Sequence, residues 1–359
     1  MSKSNSFGHR LYNGQLSIDF VGRRRTWYIV SAIILLVSVG ALLTRGLNLG
    51  IEFRGGADFA IPSASCSIEE ARTVAETKSG AQTIVTETGN GTIRVQTEAL
   101  TPAQSSELAG ELATTCGVVK DDIKVQVVGP TWGAEISKKA LQGLVVFLLL
   151  VTIFLSIYFE WRMAAAALVA LAHDLVITIG IYSLTGLEVT PATVIGVLTI
   201  LGFSLYDTVV VFDKVKENTR GILGQSVLSY SDAANLAVNQ TLVRSINTSV
   251  VALLPVLSII IVGAGFLGAG TLLDLAVALA VGMAVGAYSS IFIATPFLAQ
   301  LKNHQPEIKA LAARVAARRS QAAKNAGDSG GNGGAVTTLT DSSVRQQPKR
   351  PPRSRRTKS

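Results

Sequence analysis

Thr190-PATVIGVLTILGFSLYDTVVVF-Asp213 is apolar over a membrane-crossing length except where Asp207 interrupts it. The run before it, Met163-AAAALVALAHDLVITIGIYSL-Thr185, carries Asp174 in the same position within its own apolar stretch. A helix of about 20 apolar residues crosses a bilayer. A carboxylate near the middle of such a helix costs roughly 2.5–3.5 kcal/mol on insertion scales, and acids kept there line polar pathways or relay protons. These two stretches indicate a polytopic membrane protein with a charge-handling centre.

Composition agrees. The 359 residues are 48% hydrophobic and only 16% charged, with a mean hydropathy of +0.42, whereas soluble domains carry about 25% charged residues. Six spans are legible: Trp27–Leu43, Leu141–Phe159, Met163–Leu184, Pro191–Phe212, Ile246–Val262 and Leu272–Leu298. The last is long and must tilt or extend past the lipid. The first is expected to be retained, because Thr44-Arg45-Gly46 after it is no small-x-small cleavage site.

The net charge of +8 is unevenly spread. Arg23-Arg24-Arg25 precede the first span, Lys214, Lys216 and Arg220 follow the fourth, and a strongly basic tail follows the sixth. Basic flanks stay cytoplasmic, so both termini are expected inside and the acidic stretch between the first two spans outside. This divides the chain into a cytoplasmic segment 1–26, a first transmembrane helix 27–45, an extracytoplasmic domain 46–138, a five-helix bundle 139–300 and a basic, disordered cytoplasmic tail 301–359. Gly- and Pro-rich sequence beyond about residue 320 lacks apolar periodicity. Attraction of that tail to anionic lipid or to RNA, and a plain solvated tail, both fit it.

Within the outer segment the pattern reads as strand Ala57–Ile61, helix Ser67–Ser79, strands Gln82–Thr88 and Thr92–Glu98 joined through Gly89-Asn90-Gly91, helix Thr101–Thr115 and strand Ile123–Val128. That β-α-β-β-α-β order is the split motif of a small α+β ferredoxin-like domain. Its helices would pack antiparallel, bringing Cys66, before the first, near Cys116, after the second. A disulfide can persist outside the membrane; two buried thiols are the alternative.

On helices, Ala167, Ala170, Asp174 and Thr178 share one face, and Gly196, Ser204 and Asp207 another. Gly282, Gly286 and Ser290 form a small-residue stripe that permits close helix approach. Arg244, opening the fifth span in Arg244-SINTS-Val250, is a candidate partner for the acids. An arginine stays charged and holds an aspartate ionised, while burial pushes the other way. Such opposed effects suit an acid that loads and releases a proton, and a structural ion pair or a snorkelling Arg244 is the plainer alternative. His173 reads first as a hydrogen-bonded core residue. There is no G-x-x-x-x-G-K-[ST] loop for ATP, no metal-ligand cluster and no serine nucleophile motif. The expected coupling ion is the proton, with no bound cofactor.

Several blocks carry a specific resemblance. Asn48-LGIEFRGG-Ala57, Phe159-EWRMAAAALVALAH-Asp174, Gly202-FSLYDTVVVFDKVKE-Asn218, Arg244-SINTS and Gly286-AYSSIFIATP-Phe297 resemble, in order, the signatures of the SecD/SecF family of Sec translocase accessory proteins, the later blocks in their SecF-type form. The likeness runs over residues 8–300. It implies a six-helix half-molecule of the resistance–nodulation–division type in the bacterial cytoplasmic membrane. It further implies pairing with SecD, docking on the SecYEG channel, and use of the proton motive force to move exported, unfolded polypeptide. Carried over by position, Asp207 and Arg244 match residues of proton coupling, and Asp174 falls in a motif of less settled role. Tyr206 stands where the resemblance leads one to expect Asn, and Glu52 where it leads one to expect Asp.

Other readings differ in kind. Half of a proton-driven exporter would need more outer domain than this chain offers. An intramembrane aspartyl protease would need Gly-x-Gly-Asp, whereas Asp174 follows Ala172-His173. A subunit whose aspartates only knit helices together fits the same residues.

Overall fold

The computed structural model describes residues 17–62, 65–80, 83–87, 91–262 and 270–328. Among the described residues, six helical spans are long and apolar enough to cross a membrane. They are formed by α1 (Arg24–Arg45), α5 (Pro130–Tyr158), α6 (Trp161–Thr185), α7 (Pro191–Asn218), α8 (Tyr230–Ile259), and α9 (Gly270–Ser289) continued by α10 (Thr295–Asn303). Between α9 and α10 the helix widens into a π turn, Ser290–Ala294. The spans α6, α7 and α9–α10 are the most enclosed, and α5 the least.

Local chemistry sets several boundaries. Pro191 opens α7 behind Thr190, whose hydroxyl caps the Thr193 amide. Ser229 and Asp232 form a capping box that starts α8. The start of α8 lies well before the expected Ile246. Its first half is too polar to register as a span, yet it buries Ala233, Ala234, Ala237, Val238 and Thr241. Asn235 and Asn239 in that half clamp the chain before α1: Phe20 N donates to Asn235 Oδ1, and Ile18 N to Asn239 Oδ1, both at 2.8 Å.

Between α1 and α5 lie β1 (Asn48–Leu49), α2 (Ile51–Arg54), β2 (Gly56–Ile61), α3 (Ile68–Ser79), β3 (Ile84–Glu87), β4 (Ile93–Thr97), α4 (Pro102–Cys116) and β5 (Lys124–Val128). The four-stranded sheet has the order β3-β4-β2-β5 with every pair antiparallel. Capping boxes at Ser67–Glu70 and Thr101–Gln104 start its two helices. Phe59, Ile61, Val85 and Val95 point from the sheet into a core closed by Leu108 and Leu112 of α4. Cys66 and Cys116 are joined by a disulfide with Cα atoms 4.4 Å apart. Most of the Gly89-Asn90-Gly91 turn lies outside the described residues.

Alternation sends the other side chains to the opposite sheet face. Asp58 stands opposite Gln96 on one side and Gln126 on the other, with Arg94 one pair further along. That polar face is turned onto the membrane bundle. The chain passes there through Gly55 and Gly56, both at positive φ; a Cβ on Gly55 would stand 2.9 Å from Pro130 Cα. β1 also pairs in parallel with β6 (Glu188–Val189), between α6 and α7.

The tail departs from the expectation of disorder from residue 301. Residues to Asn303 complete α10, and Pro306–Asp328 forms α11. Alanine, leucine, arginine and lysine favour helix there. Leu311 and Val315 bury against Ile222 and Ala233. The sequence after Asp328 lies outside the described residues.

Candidate functional site

Asp174 and Asp207 are both buried, at 2% and 5% exposure. Close packing brings their helices together. A Cβ on Gly282 would fall inside the Ile200 side chain, and one on Gly286 would stand 2.8 Å from Ser204 Cβ. The small-residue stripe thus lets α9 press onto α7 at the level of the acids.

Around Asp174 the polar atoms form a chain. Its Oδ2 accepts from Ser204 Oγ at 2.5 Å and from Ser289 Oγ at 2.8 Å. Its Oδ1 lies 3.1 Å from Nδ1 of His173, whose Nε2 is 3.2 Å from Ser31 Oγ. Ser31 Oγ is in turn 2.9 Å from the Tyr288 hydroxyl. His173 therefore links α6 to α1 as a hydrogen-bonded core residue.

Asp207 is held by two serines. Ser245 of α8 donates to its Oδ1 at 2.6 Å, and Ser290 donates to its Oδ2. Each carboxylate oxygen thus accepts from one serine hydroxyl.

The structure does not bring Arg244 to either aspartate. Arg244 is exposed, and its Nη2 donates to the Tyr206 hydroxyl at 3.0 Å. The reason is angular. Adjacent helix residues point about 100° apart, so α8 cannot aim Ser245 at Asp207 and Arg244 there too. Tyr206, next to Asp207 on α7, is turned outward by the same geometry, and the two outward side chains meet. Among the described residues, no group of three or more His, Cys, Asp and Glu is set to hold a metal.

A second polar cluster joins the outer sheet to the bundle. Arg94 pairs with Asp58, and its Nη1 lies 3.3 Å from Glu188 Oε2. Gln96 Nε2 donates to Glu188 Oε1 at 2.8 Å, and Gln126 Nε2 to Glu52 Oε1 at 3.4 Å. Burial pushes the Glu52 carboxyl above its usual range, with Glu188 and Asp58 adding to the rise and Arg94 opposing it. Asp274, near the start of α9, lies close enough to feel Glu188, Arg94 and Glu52.

Sequence reasoning passed over Asp274, counted as the edge of a span. It also took Ser204 and Ser290 as small packing residues, although hydroxyls in an apolar helix are equally donors.

Known proteins bear on this arrangement. Residues 109–304 match the family model for the C-terminal part of the protein export membrane proteins SecD/SecF, and residues 40–57 match that of the SecD/SecF GG motif. The chain belongs to the SecD/SecF family of protein export membrane proteins. The GG motif is the Gly55–Gly56 crossing, where the outer sheet meets α5. Among family members, the protein translocase subunit SecF of Streptomyces coelicolor is 52% identical over 324 residues, covering 90% of this chain and 87% of that protein. SecF of Mycobacterium tuberculosis (strain H37Rv) is 42% identical, covering 88% and 74%. The crystal structure of SecDF from Thermus thermophilus, a translocon-associated membrane protein, superimposes with a TM-score of 0.73 at 29% identity. That match covers 81% of this chain but spans only 39% of the SecDF chain.

Proposed function

We propose that this chain is the SecF-type accessory subunit of a Sec translocase, acting with a SecD-type partner to promote protein translocation with the proton motive force. The observation that carries this reading is the pair of buried carboxylates on α6 and α7, held by adjacent serines of a third helix. An ionised carboxylate accepts from both its serines; once protonated it becomes a donor itself, and one serine must turn. Ser289 and Ser290 sit where α9 passes into the π turn, so a proton on either acid changes the hydrogen bonding of one shared helix. The role in transport is supported by the relatives named as translocase subunits.

A partner is supported by Arg244. A guanidinium on the outside of a membrane span is expensive against lipid, and protein covering it removes that cost. The SecDF relative, in which this chain matches two fifths of a longer polypeptide, supports SecD as the covering half. The basic flanks support a cytoplasmic-membrane orientation with both termini inside and β2–β5 outside. The element order and antiparallel sheet support a ferredoxin-like extracytoplasmic domain. On this reading the complex docks on the SecYEG channel, the outer domain meets the exported polypeptide, and the basic tail meets anionic lipid.

The test is export into vesicles that contain the partner subunit, with and without a proton gradient, comparing the native chain with Asp207→Asn. The substitution keeps shape and removes titration. The expected result is loss of the gradient-dependent part of export with normal recovery of the complex. Unchanged export places the coupling elsewhere.

A further inference from the structure

Near its two ends α5 packs tightly against the rest of the chain. Gly133 lies on α2, where a Cβ would stand 2.7 Å from the Phe53 carbonyl oxygen, and Val151 and Leu155 enter the bundle core. No residue of α5 between Gly133 and Val151 is buried. A cleft opens along that stretch on both sides of the helix. The part shared with α6 and α7 has a volume of about 450 Å³ and the part facing α7 alone about 360 Å³, and Phe53, Ala140, Val194 and Leu198 line both.

The larger part is walled mainly by carbon, with Leu144, Leu175, Ile179 and Val197 among its lining. Two of its hydroxyls are engaged within the chain: Ser137 donates to the Gly133 carbonyl at 2.9 Å and Tyr182 to that of Asp274 at 3.1 Å. Apolar cavities stay dry, and an open one at membrane depth takes up apolar chains instead. At about 1.5 Å per residue, the 29 residues of α5 extend about 43 Å, the thickness of a bilayer with its headgroups. Trp132 stands near one end and Tyr158 at the other, as interfacial aromatics do. Glu135 and Lys139, both exposed, line the smaller part together with Trp132. Helical side chains lean toward the N-terminus, here the headgroup side, and a lysine stem is long enough to reach that layer. Leu144 lies about 18 Å further along the helix than Trp132. The cleft therefore has a charged mouth at headgroup depth and an apolar floor at acyl-chain depth.

We propose that this cleft binds a membrane phospholipid taken from the leaflet on the side of the outer sheet. One acyl chain lies between α5 and the α6–α7 pair, and the phosphate sits against Lys139. Volume selects the occupant. A helix about 10 Å across displaces about 850 Å³ over two turns, so neither part of the cleft admits a partner's helix. A flexible hydrocarbon tail enters, and it supplies the van der Waals contacts that the middle of α5 lacks toward α6. Lys139 gives the phosphate its charge complement, as basic positions at a membrane surface do. The bound lipid then forms part of the bundle wall and holds α5 at its distance. This site is separate from the buried carboxylates and goes beyond the proton-coupled reading.

The test uses the full chain with its partner subunit in vesicles of phosphatidylethanolamine and phosphatidylglycerol. These are doped with a phospholipid carrying a diazirine midway along one acyl chain, and the photolabelled peptides are mapped. Label is expected to concentrate on the peptides of Leu144, Leu175 and Ile179, well above the lipid-facing stretch of α5 at Ile153 and Ile157. Ala140→Phe, which places a ring where the two parts of the cleft meet, is expected to lower cleft labelling about tenfold. Lys139→Gln is expected to lower it severalfold, and Lys139→Arg to retain it. Because Lys139 is exposed, its variants keep the test open if Ala140→Phe fails to fold. A diacylglycerol with the same diazirine chain and no phosphate is expected to label the cleft about tenfold less. Cleft labelling no higher than at Ile153 and Ile157 overturns the proposal. So does labelling that Lys139→Gln leaves unchanged, that the diacylglycerol matches, or that disappears when the partner subunit is present, which would make the cleft a subunit contact.

Discussion

Ser289 and Ser290 are neighbours in the chain, yet Ser289 donates to Asp174 and Ser290 to Asp207. Two acids on two helices are thereby tied to consecutive residues of a third, at the point where its winding changes. π turns of this kind occur often at functional sites. One hydrogen bond cannot rearrange without disturbing the backbone that carries the other.

Ser289→Ala and Ser290→Ala are each expected to lower stability by about 1.5–3 kcal/mol, the worth of a hydrogen bond to a charged group. Because both act through one turn, the double variant should depart from additivity by at least about 0.5 kcal/mol. Thermal unfolding of the purified protein measures all three.

Gly286→Ala is expected to cost about 1–3 kcal/mol by overpacking, because the new methyl meets Ser204 Cβ at 2.8 Å and the Ser204 backbone at 3.3 Å. For Gly282→Ala the three nearest atoms all belong to the Ile200 side chain. Adding Ile200→Ala should therefore restore the melting temperature of the Gly282 variant, while no such partner relieves the Gly286 one.

At the junction the pH dependence has a definite sign. The folded chain raises the Glu52 carboxyl, chiefly by burial, so it binds a proton there that the unfolded chain has released. The stability this contributes is fully present below the usual carboxylate range and is lost as pH rises through the elevated value. Glu52→Gln should therefore stabilise the protein at pH about 7.5 and leave it nearly unchanged at pH about 4, as melting curves at the two pH values would read.

Arg94→Met removes the guanidinium between Asp58 and Glu188. Asp58 Oδ1 already lacks a partner, so the variant leaves a buried carboxylate without its counter-ion, at a cost of about 1–3 kcal/mol or more. Limited proteolysis is expected to cut the segment joining the outer sheet to α5 faster in this variant.

Reduction of Cys66–Cys116, which closes a 50-residue separation, is expected to lower the stability of the outer sheet and its helices by about 2–4 kcal/mol. A reductant-dependent fall in melting temperature, absent from a Cys66→Ser, Cys116→Ser double variant, checks it.

Much of this was legible in the chain itself. An acid inside an apolar run is conspicuous because the surrounding hydropathy is uniform, so Asp174 and Asp207 stood out, and so did six spans. The serines that hold the acids did not, because a serine scarcely disturbs hydropathy and its donor role depends on which helix faces it. The expected pairing of Arg244 with the aspartates followed opposite charge alone. It failed on direction, since Ser245 already occupies the angle toward Asp207. The first half of α8 and the whole of α11 escaped notice for a related reason. Their buried faces are thin, alanines with Val238 and Leu242 in α8 and Ile308, Leu311 and Val315 spaced among charged residues in α11, too weak a signal for a hydropathy window and clear only against the packed neighbour.

Tyr206 and Arg244 meet on the outer surface of the bundle rather than within it. A side chain enclosed by its own polypeptide is judged by that polypeptide alone, but these two present their combined shape to whatever lies alongside. On the proposed pairing with a SecD-type partner, residue 206 is a matching feature between the two subunits. Exchange of this chain between hosts should succeed or fail with the facing surface of its companion, and the two genes are expected to change in step at this contact while the acids behind it stay as they are.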